Sequence, residues 1–149
     1  MDIQQELTKY IASAIHNELP EVTQKNTRFH LLDTLVAILT GRLLPPGKKA
    51  FEFAKSQGGN PESTLIGNDI KVSAIHAGLS NGMAAHADET DDTHTNGRFH
   101  PGCAIVPAAL AINSVGSSAT LIGVNNLAGG VIYSDNTTFT NHGTFTVGG

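Results

Sequence analysis

Apolar positions between Gln4 and Leu19 fall at Leu7, Tyr10, Ile11, Ala14 and Ile15, steps of three and four that lay one stripe along a helix. Pro20 opens a second helix, where its missing N–H costs nothing, and the pattern carries to Thr40 with Gly41 as the stop. The second half of this helix, Leu31 to Leu39, is apolar on nearly every side, which predicts a helix buried among others. Pro45-Pro46 begins a third helix through Ala50, Phe51, Phe53 and Ala54, ending near Gly58-Gly59. Ser63 to Gly67 reads as a short extended piece. A fourth helix starts near Val72 and runs through Ile75, Leu79 and Met83 toward His86, and Cys103 to Ile112 reads as a fifth, with Pro107 bending it or marking its first turn.

The pattern changes after Ile112. Val131-Ile132-Tyr133 is β-prone, and Thr138-Phe139-Thr140 and Thr144-Phe145-Thr146-Val147 alternate polar with apolar around a turn at Asn141-His142-Gly143. All nine Lys and Arg residues precede residue 113, and the tail keeps Asp135 as its only formal charge while holding seven of the sixteen glycines. These contrasts predict two parts. Residues 1–112 form an all-α helical bundle, and residues 113–149 form a Gly/Thr/Asn-rich tail, β-prone or disordered, with little core of its own.

A chain of 149 residues with 40% hydrophobic and 15% charged positions suits one soluble globular domain. Its net charge of -4 leaves no electrostatic footprint for nucleic acid. An acidic excess also means that an anionic substrate needs local cations, of which the sequence supplies few. The single cysteine, Cys103, cannot form an internal disulfide and suits a reducing compartment. The N-terminal residues show no basic region followed by an apolar one, and no apolar run approaches the ~20 residues of a membrane span. The expected location is the cytoplasm.

One stretch is chemically dense. Between His86 and His100 lie four carboxylates (Asp88, Glu89, Asp91, Asp92), three histidines counting both ends, and three threonines. If the loop is enclosed, crowded carboxylates raise at least one pKa toward neutrality and push a neighbouring histidine upward, which makes an acid and a base able to work near pH 7. The same residue types are also ordinary loop and cap residues, and Thr90 or Asp91 would serve as a helix cap. Composition alone does not separate these readings. A third, metal binding, has His and Asp in its favour and no standard zinc spacing. Elsewhere, Asp33 on its apolar helix reads as a buried, hydrogen-bonded structural acid. His30 and His76 read as ordinary helix residues, and Cys103 as a small apolar filler.

The run AGLSNGMAAHADETDDTH, Ala77 to His94, closely resembles the signature of the MmgE/PrpD family, which includes 2-methylcitrate dehydratase. The matching residues are Asn81-Gly82, His86, Glu89, Asp91-Asp92-Thr93 and His100-Pro101. Leu31-Leu32-Asp33-Thr34-Leu35, closing in Gly41, resembles a second family landmark, and Val106-Pro107-Ala108-Ala109-Leu110 a third. The resemblance covers roughly residues 5 to 112. It implies that Glu89 holds the position of a catalytic-site acid, often Asp in relatives, and that Thr93 and His100 line the same pocket, with Asp92 and His94 as neighbours. Thr90 stands where relatives usually carry an aromatic or apolar residue, and the loop from Thr93 to His100 differs in length from some of them.

The resemblance implies a lyase that dehydrates, decarboxylates or isomerises small polycarboxylic acids without a metal or organic cofactor, and that pairs as a homodimer through its helical domain. It also implies lysines, a further histidine and a covering α/β domain supplied from later in the chain. Nothing after Ile112 resembles that continuation, so the expectation is an N-terminal piece, truncated and inactive alone. Two alternatives stay open: a non-catalytic helical binding or structural module, and a metal-dependent hydrolase.

Overall fold

A computed structural model describes residues 2–14 and 17–115. The expectations for the tail beyond Val115 lie outside the described residues. Among the described residues, five helices and one two-stranded hairpin account for the regular structure: α1 (Ile3–Ala14), α2 (Glu21–Gly41), α3 (Pro45–Ser56), β1 (Ser63–Thr64), β2 (Lys71–Val72), α4 (Ala74–Ala85) and α5 (Pro101–Ser114). The architecture is all-α, as the periodicities predict.

Proline and glycine set most of the boundaries. Pro20 holds the extended backbone that precedes α2, and Pro45 occupies the first turn of α3 after an extended Leu44. α3 ends before Gly58 and Gly59, whose φ values of 65° and 96° suit residues without a Cβ. The fourth helix begins at Ala74 rather than Val72, because Val72 pairs with Ser63 across the hairpin. Glu62 then caps the helix from outside, accepting the Ala74 N–H at 3.0 Å. α5 starts at Pro101, ahead of the expected Cys103, so Pro107 falls inside the helix and is fully buried there.

α4 is the hub. It packs against α2, α3 and α5 with a face of small residues: Ala77, Ala84 and Ala85 are fully buried, and Gly78 and Gly82 face α5. Gly41 acts by close approach rather than as a left-handed stop. A Cβ there would overlap the carbonyl oxygen of Ala84, so the end of α2 rests directly on the α4 backbone. Two buried polar side chains lock neighbours to the same helix. Ser80 donates to the Ala50 carbonyl of α3 at 2.9 Å. Asn81 accepts from Ile66 N–H and donates to the Thr64 carbonyl, both at 3.0 Å, which pins the hairpin. Ile38, Phe51, Leu65 and Val72 fill the remaining core. Burying a side chain such as Leu65 or Ile38 contributes roughly 1.5–3 kcal/mol each.

Two expectations about burial need correction. The apolar half of α2 is not enclosed: Thr34, Ala37 and Ile38 are buried, whereas Leu32, Val36 and Leu39 are 59%, 50% and 42% exposed. Only one side of that helix meets α4 and α5. Asp33 lies on the open side and is exposed rather than buried. α1 keeps its stripe, but Leu7, Tyr10 and Ile11 face outward and none of its described residues is buried. Among the described residues, no helix is long and apolar enough to cross a membrane.

The contact at Gly41 predicts a sharp asymmetry between two glycine substitutions. Gly41→Ala must push α2 off α4 and should lower stability by about 3 kcal/mol or more. Gly78→Ala places its Cβ 3.4 Å from the Ala111 Cβ, an ordinary contact, and should stay within about 1 kcal/mol of the parent. Thermal melts followed by circular dichroism measure both, and similar melting shifts would contradict the packing described.

Candidate active site

The two helices that meet along the small-residue face also place the chemistry. α4 ends at Ala85 with His86 as its C-cap, and α5 begins at Pro101 with His100 as its N-cap. Because the helices pack side by side, the two imidazoles come together at 4.7 Å between ring centroids. The carboxylate of Asp91 sits against both. Its Oδ1 is 3.2 Å from His86 Nδ1 and 3.3 Å from His100 Nδ1, and the side chain is 0% exposed. A carboxylate oxygen accepts, so the His86 contact is a hydrogen bond in the tautomer that carries its hydrogen on Nδ1, which leaves Nε2 of that ring facing outward; His100 Nδ1 meets the same oxygen as an ion-pair contact.

The other loop residues divide into rim and support. Glu89 is on the rim, 73% exposed, with Oε1 3.6 Å from His86 Nε2. Its φ of 59° is a left-handed conformation that a non-glycine residue adopts at a cost. Thr93 is also exposed, its hydroxyl 3.5 Å from His100 Nδ1. Asp92 turns toward the scaffold instead. Its Oδ1 accepts the Gly102 N–H at 2.8 Å, where the N-terminus of α5 favours negative charge, and its Oδ2 lies 3.5 Å from His30 Nδ1 on α2. His94 turns into its own reversal. It bridges to Phe99, accepts the Gly97 N–H on Nδ1 at 2.8 Å, and lies 4.9 Å from the Phe99 ring. Its Nε2 is buried without a hydrogen-bond partner among the described residues. Arg98, the loop's cation, is exposed in that reversal with a φ of 52°.

The fold thus brings Glu89, Thr93 and His100 to one rim, and sends Asp92 and His94 to the scaffold beneath. It adds His86 and Asp91, which belong to the motif, and His30, which helix position alone marks as unexceptional. The histidine's reach to Asp92 depends on α2 lying against the start of α5. The carboxylates are not left to repel one another, since each has its own donors or faces water. Asp88 shows the result: the Thr90 hydroxyl lowers its pKa below the ordinary 3.8 against an opposing effect of burial, with the Thr40 hydroxyl adding to the lowering.

Cys103 is more than filler. It lies half-buried with its thiol 3.2 Å from the His100 carbonyl. Burial first, then the hydrogen bond and charge of Asp91 and the charge of Asp92, push the thiol from 9.0 up to about 11. The residue therefore reports on the enclosed negative charge behind the histidines.

A sequence profile of the MmgE/PrpD N-terminal domain matches residues 5–124, and the chain belongs to that family. Human cis-aconitate decarboxylase is 31% identical to it over 112 residues, which cover 71% of this chain and 23% of the decarboxylase. The chain thus spans under a quarter of the length of this relative.

The thiol gives a direct check on the site's electrostatics. At pH 8 a thiol raised to about 11 holds roughly a hundredth of the thiolate of an ordinary one. Alkylation by iodoacetamide should be slower by about that factor in native buffer than in denaturant, and should accelerate as pH rises toward 11. The folded thiol holds its proton more tightly than the unfolded one, so its stabilising contribution is whole below pH 9.0 and is lost as pH rises through about 11. Equal native and denatured rates at pH 8 would contradict the enclosure of the charge.

Proposed function

We propose that this chain carries the proton-transfer part of a lyase site for small polycarboxylic acids, and that alone it is too incomplete for turnover. The observation that carries the reading is the Asp91 carboxylate held between His86 and His100, with Glu89 and Thr93 on the open side. Membership of the MmgE/PrpD family and the similarity to a cis-aconitate decarboxylase support the substrate class.

The chemistry follows from the groups present. Loss of water from such an acid needs a base for the C–H beside a carboxylate and an acid at the departing oxygen. Loss of carbon dioxide needs an acid at the carbon left behind. His100, aimed by Asp91, takes one proton-transfer role at Nε2, and Glu89 takes the other. Thr93 offers a hydroxyl to the substrate beside His100. Asp92 and His94 serve the same site from beneath, Asp92 by holding the start of α5 in place and His94 by closing the loop. No organic or metal cofactor enters these steps.

What the site needs beyond them is positive charge. Carboxylates gaining charge in the transition state require cations or oriented donors in an enclosed setting, and an open, hydrated site supplies far less of that stabilisation. Arg98 is the loop's own cation and is exposed. Groups that act as a unit lose most of their catalysis together when part of the set is missing.

The apolar side of α2 supports a further part of the proposal, a homodimer. Phe29, Leu32, Val36 and Leu39 are exposed along it and Leu43 just beyond its end, more apolar surface than a solitary soluble helix normally shows. A second copy covers such a face at low cost through an isologous contact.

Two measurements test these readings. Alkene formation from 2-methylcitrate and decarboxylation of cis-aconitate, both followed spectroscopically, should stay at background for the chain, Glu89→Gln and His100→Ala alike. Calorimetry should detect weak tricarboxylate binding, about millimolar, which either variant reduces roughly tenfold. Clear turnover abolished by the variants would overturn the incompleteness, while binding indifferent to both would favour a non-catalytic helical module.

Light scattering should give the mass of a dimer, and Leu32→Glu combined with Val36→Glu should shift it to a monomer. A monodisperse monomer of the parent chain would refute the pairing.

A further inference from the structure

The geometry points to a binding site for a divalent transition-metal ion of the zinc class, held by His86, Glu89 and His100. One ligand atom from each lies within 4.8 Å of the other two. Ligands around tetrahedral zinc stand about 2.0–2.2 Å from the ion and hence roughly 3.3–3.5 Å from one another. His86 Nε2 and Glu89 Oε1 are already 3.6 Å apart. Glu89, largely in water, can close the remaining gap by side-chain rotation.

Asp91 supplies the second reason. Metal-bound imidazoles characteristically pass their other N–H to a carboxylate, which fixes the tautomer, aims the ring and raises its basicity. Here one fully buried carboxylate lies against Nδ1 of both rings and hydrogen-bonds to that of His86, whose Nε2 faces Glu89 as a donor atom. Two imidazole nitrogens and one carboxylate oxygen suit zinc or cobalt, whereas magnesium and calcium prefer oxygen alone. Three protein ligands leave one position open to water. A second grouping, His86 with Asp91 and Cys103, also meets the distance criterion. It would need Asp91 to give up orienting the rings in order to ligate.

This site does not depend on the lyase reading, although it has a consequence for it. The lone pairs that would move protons are the ones the ion takes, so on that reading metal and acid–base chemistry exclude each other. The metal would act as an inhibitor and not as a cofactor.

The test uses the full chain without a histidine tag. Equilibrium dialysis against Zn²⁺ at pH 7.5 should give one ion per chain, and Co²⁺ should give the visible absorption of a four-coordinate site. Glu89→Gln and His100→Ala should each weaken binding at least tenfold, and Asp91→Asn about 10–100-fold. Cys103→Ser and His76→Ala should leave it unchanged. Glu89 is exposed, so its variant keeps the test informative if the buried ones misfold. Stoichiometry far below one, or affinity unmoved by Glu89→Gln and His100→Ala, would overturn the site. A loss on Cys103→Ser and Asp91→Asn with Glu89→Gln and His100→Ala silent would overturn it in favour of the other grouping.

Discussion

Everything about the site depends on how closely three helix backbones approach one another at α4. Gly41 rests on the Ala84 carbonyl, a Cβ on Gly82 would meet the Cys103 carbonyl at 2.9 Å, and Gly78 faces Ala111. Larger residues at these points would hold α2 and α5 further off. With the helices this close, the last residue of one and the first of the next become neighbours, and a fifteen-residue loop leaves and returns to almost the same place. The chemistry is therefore a consequence of packing. His86 and His100 meet because their helices do, and Asp91 is buried because the space between two helix ends is closed to water.

Adjacent acids receive opposite tasks from this arrangement. Asp91 serves the two imidazoles, while Asp92 holds the α5 N-terminus and reaches His30 on α2. Glu89 faces water. Such a division spares the loop the repulsion that four carboxylates would otherwise generate. It also makes the inner half of the site rigid and the outer half adjustable, since Asp91 and Asp92 are tied on several sides and Glu89 is not.

Much of this was legible in the residues. Steps of three and four found the first and fourth helices, and Pro20, Pro45 and Gly58 marked ends of the second and third correctly, because these signals act through local backbone geometry. The motif from Ala77 to His94 located the chemical loop. Burial was less legible. A helix apolar on all sides does not say which side is covered, so Leu32, Val36 and Asp33 were expected inside and lie outside. β2 escaped notice because a two-residue strand has no periodicity and exists only through its partner. The separate tasks of Asp91 and Asp92 were hidden for a related reason: neighbours in sequence diverge in space once the loop is folded, and the reach of His30 requires a tertiary contact that no local pattern carries.

The left-handed backbone at Glu89 sets reach against comfort. At a φ of 59° an aspartate or asparagine is the more relaxed occupant, because a short polar side chain can bond to its own peptide units. Glutamate forgoes that relief and gains one methylene, about 1.5 Å of extension toward His86. The loop thus holds its carboxylate further from the chain than its backbone would prefer. A wider or shallower ligand could be met by that carboxylate without any movement of the helices beneath it.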